Sequence, residues 1–249
     1  HTRYISVTGV QTCALPIWVY QANLCYVLSA KLDQPIDPIG LWHLLSKHNP
    51  APYLSALYVP KEQSGLGSDV SIASASPELF LSREGNLLTS SPIKGTAKNA
   101  SELLDKDRAE NVMIVDLIRN DLSLVAISGT VEVPELLRTE PHLGLVHLVS
   151  DVQGLVTNDT SWDQILQAMS PPGSVSGAPK SSAMEVIGRL EKSKREIYCG
   201  AFGYVNANSK SAKLAVAIRT FWQTQSNGDR KSTRLNSSHT DISRMPSSA

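Results

Sequence analysis

From Trp18 to Leu28 the chain alternates, with Tyr20, Ala22, Leu24, Tyr26 and Leu28 on one side and Gln21 and Asn23 on the other, the period-two pattern of a half-buried strand. Leu79 to Ser82 and Asn86 to Thr89 flank Glu84-Gly85, which predicts a tight hairpin. Leu145 to Val156 and Lys213 to Trp222 are further β-rich runs, and Tyr198 to Val205 is expected to pair with the second of them through Asn206-Ala207-Asn208-Ser209. Helical spacing appears twice. From about Glu102 to Asn120, Leu103, Met113, Ile114 and Leu117 share a face; after Pro179, a first-turn residue, Ala183, Val186, Ile187 and Leu190 form an apolar stripe while Glu191, Lys192, Lys194 and Arg195 are expected to stay wet. Strands and helices mix without regular βαβ alternation, so the expected class is α+β.

The two ends break this patterning. Residues 1–17 have no clear period, and residues 224–249, Ser- and Arg-rich from Asp229 onward, carry Leu235, Ile242 and Met245 too scattered for a stripe or a strand. Both read as non-native, adapter-like segments, leaving residues 18–223 as one domain to interpret. With 249 residues and 41% hydrophobic content, the chain can bury a substantial core. The 23 basic and 23 acidic side chains cancel, so no global field favours nucleic acid or an anionic membrane, and an anionic ligand has to be held locally. Cys13, Cys25 and Cys199 are odd in number and lack Cys-x-x-Cys spacing, which suits a reducing, cytoplasmic compartment. Neither a membrane-spanning apolar run nor a secretory signal is visible.

Several residues are wrong for structure alone. At 100° per residue Glu110 falls in the middle of the apolar face of the first helix, where a carboxylate needs a cation: a structural Lys or Arg, or a divalent metal. Glu78, in Ser76-Pro77-Glu78, stands at the start of a strand, where a carboxylate can face a cleft or be an ordinary loop acid. Lys94 lies in Pro92-Ile93-Lys94-Gly95-Thr96, where Gly95 allows close backbone approach to a ligand; an apolar turn favours the neutral, nucleophilic amine, whereas a snorkelling surface Lys is the plain alternative. The Gly-rich run from Pro171 to Lys180 opens a helix and offers backbone N–H groups to an anion, but it misses the spacing of a nucleotide-binding phosphate loop. Arg219, sharing a strand face with the small Ala215 and Ala217, has room for a bidentate carboxylate. His147 shares the face of Leu145 and Val149 and, taken singly, reads as a satisfied core histidine.

In their order along the chain these segments resemble the chorismate-binding family of anthranilate, aminodeoxychorismate, isochorismate and salicylate synthases. The matching stretches run from Tyr20-Gln21-Ala22-Asn23-Leu24 through Asn49-Pro50-Ala51-Pro52-Tyr53, Ser76-Pro77-Glu78, Pro92 to Thr96, Ala109-Glu110-Asn111 and Asp116 to Asp121. They continue with His147-Leu148-Val149-Ser150, Gly177-Ala178-Pro179-Lys180, Tyr198-Cys199-Gly200 and Ala217-Ile218-Arg219-Thr220. The resemblance implies an α+β fold of intertwined sheets packed face to face with helices outside, a four-layer sandwich with its active site in the cleft. It implies Glu110 as a Mg²⁺ ligand and Thr96, Gly177, Ala178, Lys180, Tyr198 and Arg219 as contacts of the dicarboxylate chorismate.

Within that family, anthranilate synthases usually carry Ala where this chain has Lys94, and aminodeoxychorismate synthases carry Lys. The implied reaction is attack by the Lys94 amine at ring C2 with loss of the C4 hydroxyl, protonated by Glu78, followed by ammonia at C4 and release of the lysine. His147 is implied to lie near the ring. No Gly-x-Cys-x-Gly nucleophile is present, so ammonia is expected from a glutamine amidotransferase subunit. A second metal-binding Glu and a large N-terminal portion, both usual in the family, are missing. Anthranilate synthase and an inactive chorismate-binding fragment are the alternatives.

Overall fold

The computed structural model describes residues 19–241 apart from 26–27, 33, 209, 227–228 and 236–238. Its first half holds β1 (Gln21–Cys25), β2 (Leu28–Lys31), α1 (Pro38–His48), β3 (Tyr53–Val59), α2 (Lys61–Ser64), β4 (Val70–Ser76), β5 (Leu79–Glu84), β6 (Leu87–Ser91), β7 (Ile93–Ala97) and α3 (Asp105–Ser123). There follow β8 (Glu132–His142), β9 (Leu145–Leu155), α4 (Trp162–Met169), α5 (Gly173–Ser176), β10 (Gly177–Ala178), α6 (Lys180–Leu190), β11 (Ala201–Asn206), β12 (Ser211–Val216), β13 (Thr220–Ser226), β14 (Asp229–Leu235) and β15 (His239–Asp241).

These strands make two large antiparallel sheets. One runs β11-β12-β5-β6-β9-β7 with β8 on the other side of β9; the second runs β2-β14-β13-β4-β3, and β10-β1-β15 form a third, small sheet. One core joins Val70, Ile72 and Trp222 of the second sheet to Leu81, Leu88, Val152 and Leu214 of the first and to Ile114, Ile118 and Leu122 of α3. Burying a side chain of this size contributes roughly 1.5–3 kcal/mol. Helix α1 covers the five-stranded sheet and α3 the β7–β9 region, so every residue of β4, enclosed on both faces, is buried. The sheets are intertwined at two places: the chain leaves the five-stranded sheet after β4 and enters the seven-stranded one at β5, then makes the reverse passage between β12 and β13.

Local chemistry explains the helix boundaries. Asp37 caps α1 by accepting from the Ile39 N–H, Pro38 occupies its first turn, and Lys47 and His48 end it against the negative pole. In α4, Ser161 and Gln164 form a reciprocal capping box.

The hairpin around Glu84-Gly85 and the strand β9 match the sequence pattern. Other expectations are corrected. The run from Lys213 to Trp222 is two strands in different sheets, because Ala217 to Arg219 make the passage between them. Gln21 and Asn23 are buried and Tyr20 is exposed, since Ala22 packs against Ala183 and Ile187 of α6 while the next side chain, Asn23, is also enclosed and donates to Ser174 O. Tyr26 lies outside the described residues. Pro179 sits at the N-cap of α6 and not within its first turn. Contrary to the expectation of no strand after Asp229, β14 pairs with both β13 and β2. Residues 1–17 lie outside the described residues.

Candidate active site at the crossing of the two sheets

The two passages between sheets lie side by side. The Ala75 N–H donates to Arg219 O (3.1 Å), the Val216 N–H to Glu78 O (3.0 Å), and the Ser76 hydroxyl to Val216 O (2.6 Å). Ser74 and Thr220 share a buried hydroxyl–hydroxyl bond of 2.8 Å. Segments about 140 residues apart in sequence are thereby stitched together, which places Glu78 on one passage and Arg219 on the other.

Glu78 is buried, and its Oε1 accepts from the Ile93 N–H at 3.4 Å. That bond ties the first passage to the start of β7, the strand of Lys94 and Thr96. Thr96 Oγ1 is 2.8 Å from Nδ1 of His147, its register partner on β9. His147 is buried, and its pKa is lowered to about 4, first by burial and then by the neighbouring His142 and Arg219, with Glu140 opposing. Arg219 adopts φ 49, left-handed backbone that few side chains take up. It is half-buried, burial lowers its pKa, and its guanidinium has no hydrogen bond or ion pair among the described residues. A buried cation in this condition is suited to a carboxylate ligand. Glu78, Thr96, His147 and Arg219 are thus gathered around one seam, with Lys94 on the same strand as Thr96.

The remaining expected residues stand around it. Tyr198 is buried in the turn before β11, where the Cys199 N–H donates to Ala217 O at 3.0 Å; burial, with Cys199 and Cys25 close by, raises the pKa of its phenol. Gly177 and Ala178 form β10, opposite Ala22 and Gln21. Gly177 has φ 143, and a Cβ there would fall on Gln21 O. Just before β10, Gly173 and Ser174 line a small cleft together with Glu78, Ser90 and Asp121.

Three expectations change. Lys180 is held at 2.6 Å from Asp121, and its Nζ donates to Met169 O, so its ammonium is engaged in anchoring α6 to α3. Arg219 is not on a strand face with Ala215 and Ala217 but in the passage itself. Glu110 is at the flank of α3, whose centre is Asn111, Ile114, Ile118 and Leu122; its carboxylate pairs with Lys106 at 3.2 Å. Asn111 takes the central place because its amide donates to Leu148 O and accepts from Ser150. Among the described residues no three His, Cys, Asp or Glu side chains gather as a metal site. The close approach at Gly95 (φ 94) also differs from expectation: a Cβ would lie 2.9 Å from Asp107 Cβ, so its neighbour is α3.

Sequence reasoning missed the ion pair of Arg195 with Glu191 (2.6 Å), both largely buried, in which Arg195 also donates to Val175 O and Asn23 O. Their spacing of four was the available signal, although both lie beyond the end of α6. It also missed Arg138, which meets Glu135, Glu140 and Asp151 on β8 and β9. Beside this cluster Tyr53 has its pKa raised, by burial first and then by Glu140 and Asp151.

Two interlocked antiparallel sheets, with a buried carboxyl group, a buried imidazole and a half-buried guanidinium at their crossing, define an α+β protein. The chain belongs to the chorismate binding enzyme family, whose pattern matches residues 18–233. It is 36% identical over 218 residues to aminodeoxychorismate synthase component 1 of Bacillus subtilis, covering 83% of this chain and 44% of that protein. It is 37% identical over 196 residues to anthranilate synthase component 1 of Saccharolobus solfataricus, covering 74% and 44%. The solved structure of anthranilate synthase component I from Streptococcus pneumoniae superposes with a TM-score of 0.74 at 30% identity, over 90% of this chain and 48% of that one. The chain spans less than half the length of these relatives. Among the described residues no helix is long and apolar enough to cross a membrane.

Proposed function

We propose that this chain is the chorismate-binding part of an aminodeoxychorismate synthase component, replacing the C4 hydroxyl of chorismate by an amine supplied as ammonia by a glutamine amidotransferase partner. The observation that carries the reading is Lys94, placed on β7 between Ile93, whose N–H donates to Glu78, and Thr96, which bonds to His147. A primary amine on the strand whose neighbouring residues touch both an acid and an imidazole is suited to covalent amination of a ring.

In this reading Arg219 holds a chorismate carboxylate. The Lys94 nitrogen forms a bond to ring C2, the double bond shifts, and the C4 hydroxyl leaves as water with the proton of Glu78. Ammonia then bonds to C4, the double bond returns, the C2–nitrogen bond breaks, and the proton lost by the ammonia nitrogen restores the acid. His147 is held neutral beside the seam by burial, so it can accept or share a hydrogen bond but does not carry charge near neutral pH. Mg²⁺ belongs to the proposal through the family resemblance alone, and no step is derived through it.

The second reading, anthranilate synthase, has its own support in relatives of that name at 37–38% identity. Incubation with chorismate, ammonium and Mg²⁺, followed by chromatography and mass spectrometry of product and protein, separates the two. Aminodeoxychorismate, together with an adduct on Lys94 absent from Lys94→Ala, supports the proposal; anthranilate as product selects the alternative. Binding of chorismate with neither product nor adduct identifies a binding fragment.

A further inference from the structure

We infer that Glu140 and His142 are positioning residues that fix the imidazole of His147 in one orientation, presenting a neutral ring to the seam. The inference deepens the reading of His147 as a site residue and rests on it. Glu140 is the register partner of His147 across β8 and β9. One of its carboxylate oxygens lies 3.0 Å from His142 Nε2, and the other accepts from Arg138 at 2.5 Å. Arg138 therefore holds one end of Glu140, and the other end faces the His142 ring at ion-pair distance. That ring meets His147 edge to face, with centroids 4.5 Å apart and planes at 62°. On the other strand Thr96 takes Nδ1 of His147 at 2.8 Å. The imidazole is thus gripped at one nitrogen and along one ring edge, and strands on both sides of β9 contribute.

The charged groups acting on His147 are His142 and Glu140 from β8 and Arg219 from the sheet passage. His142 and Glu140 act with opposite sign, which gives a readout that loosened packing would not reproduce. His142→Phe keeps a ring against His147 and removes the positive neighbour, whereas Glu140→Gln keeps shape and removes the negative one.

The test is an NMR titration of the full chain labelled at the imidazole carbons, the His147 resonance being assigned by its loss in His147→Gln. The wild-type value is expected at about 4, rising by about half a pH unit or more in His142→Phe and falling in Glu140→Gln. A rise in both variants toward the ordinary histidine range would mean that each merely exposes the ring, and would overturn the inference. So would a value unchanged in either variant. The titration needs no substrate, so its failure and a failure of the amination reading are distinguishable.

Discussion

His147 makes the fold acid-sensitive in a defined window. Its pKa falls from the ordinary 6.5 to about 4 in the folded chain, mainly because burial disfavours the imidazolium. At about 1.4 kcal/mol per pH unit, that difference corresponds to roughly 3 kcal/mol. The sign follows from proton counting. Above pH 6.5 neither state carries the proton and nothing is lost; between 6.5 and 4 the unfolded chain binds it and the folded chain does not, so stability falls as pH falls. Urea unfolding of the wild type and of His147→Gln at pH 7, 5.5 and 4.5 isolates this contribution. The wild type should lose about 1 kcal/mol more than the variant by pH 5.5 and about 2.5 kcal/mol more by pH 4.5. Asp121, whose burial raises its pKa, works in the opposite direction, but it is present in both proteins and cancels in the comparison. Parallel pH profiles for the two proteins would refute the argument.

Four further outcomes are expected. Arg195→Met leaves Glu191 buried without its cation and should cost about 3–5 kcal/mol in urea unfolding. Gly177→Ala places a Cβ on Gln21 O at φ 143, so the variant should unfold at lower temperature or fail to accumulate as soluble protein. Thr96→Val removes the bond to His147 Nδ1 and should lower stability by about 1 kcal/mol, read by the same unfolding assay. Arg219→Met should weaken chorismate binding at least tenfold in calorimetry, about 1.4 kcal/mol, if its guanidinium holds a carboxylate.

The 3.6 period located α3 and α6, each with one face packed and one face wet, while the Glu84-Gly85 turn signal and β-rich composition located β5, β6 and β9. The pattern failed where that condition fails. In β1 both faces are enclosed, so the polar Gln21 and Asn23 are buried and alternation carries no information about exposure. Between β12 and β13 the apolar run continues through a change of sheet, and nothing in Ala217-Ile218-Arg219 signals it except a backbone angle. Glu110 looked central because Leu103, Met113 and Leu117 are apolar, yet the buried face is that of Ile114, Val115, Ile118 and Leu122, on which Asn111 is satisfied by two hydrogen bonds to β9. Arg195 and Glu191 were assigned to water as charges on a helix end, since neither partner's burial is visible without the fold around β1 and α5. The site residues themselves were legible as types and, through the family order, as a set. Their convergence was not, because Glu78 and Arg219 meet only through pairing across more than a hundred residues of chain.

The twin passages between the sheets set when the cleft can exist. Ser76 and Val216 bond directly although 140 residues separate them, so neither half of the chain can build the seam before the other has emerged and collapsed onto it. Closure over such a distance is a late and slow event. A nascent or partly melted chain can keep hairpins such as β5–β6 while having no seam, and under the proposed function ligand capture becomes a report on the finished weave.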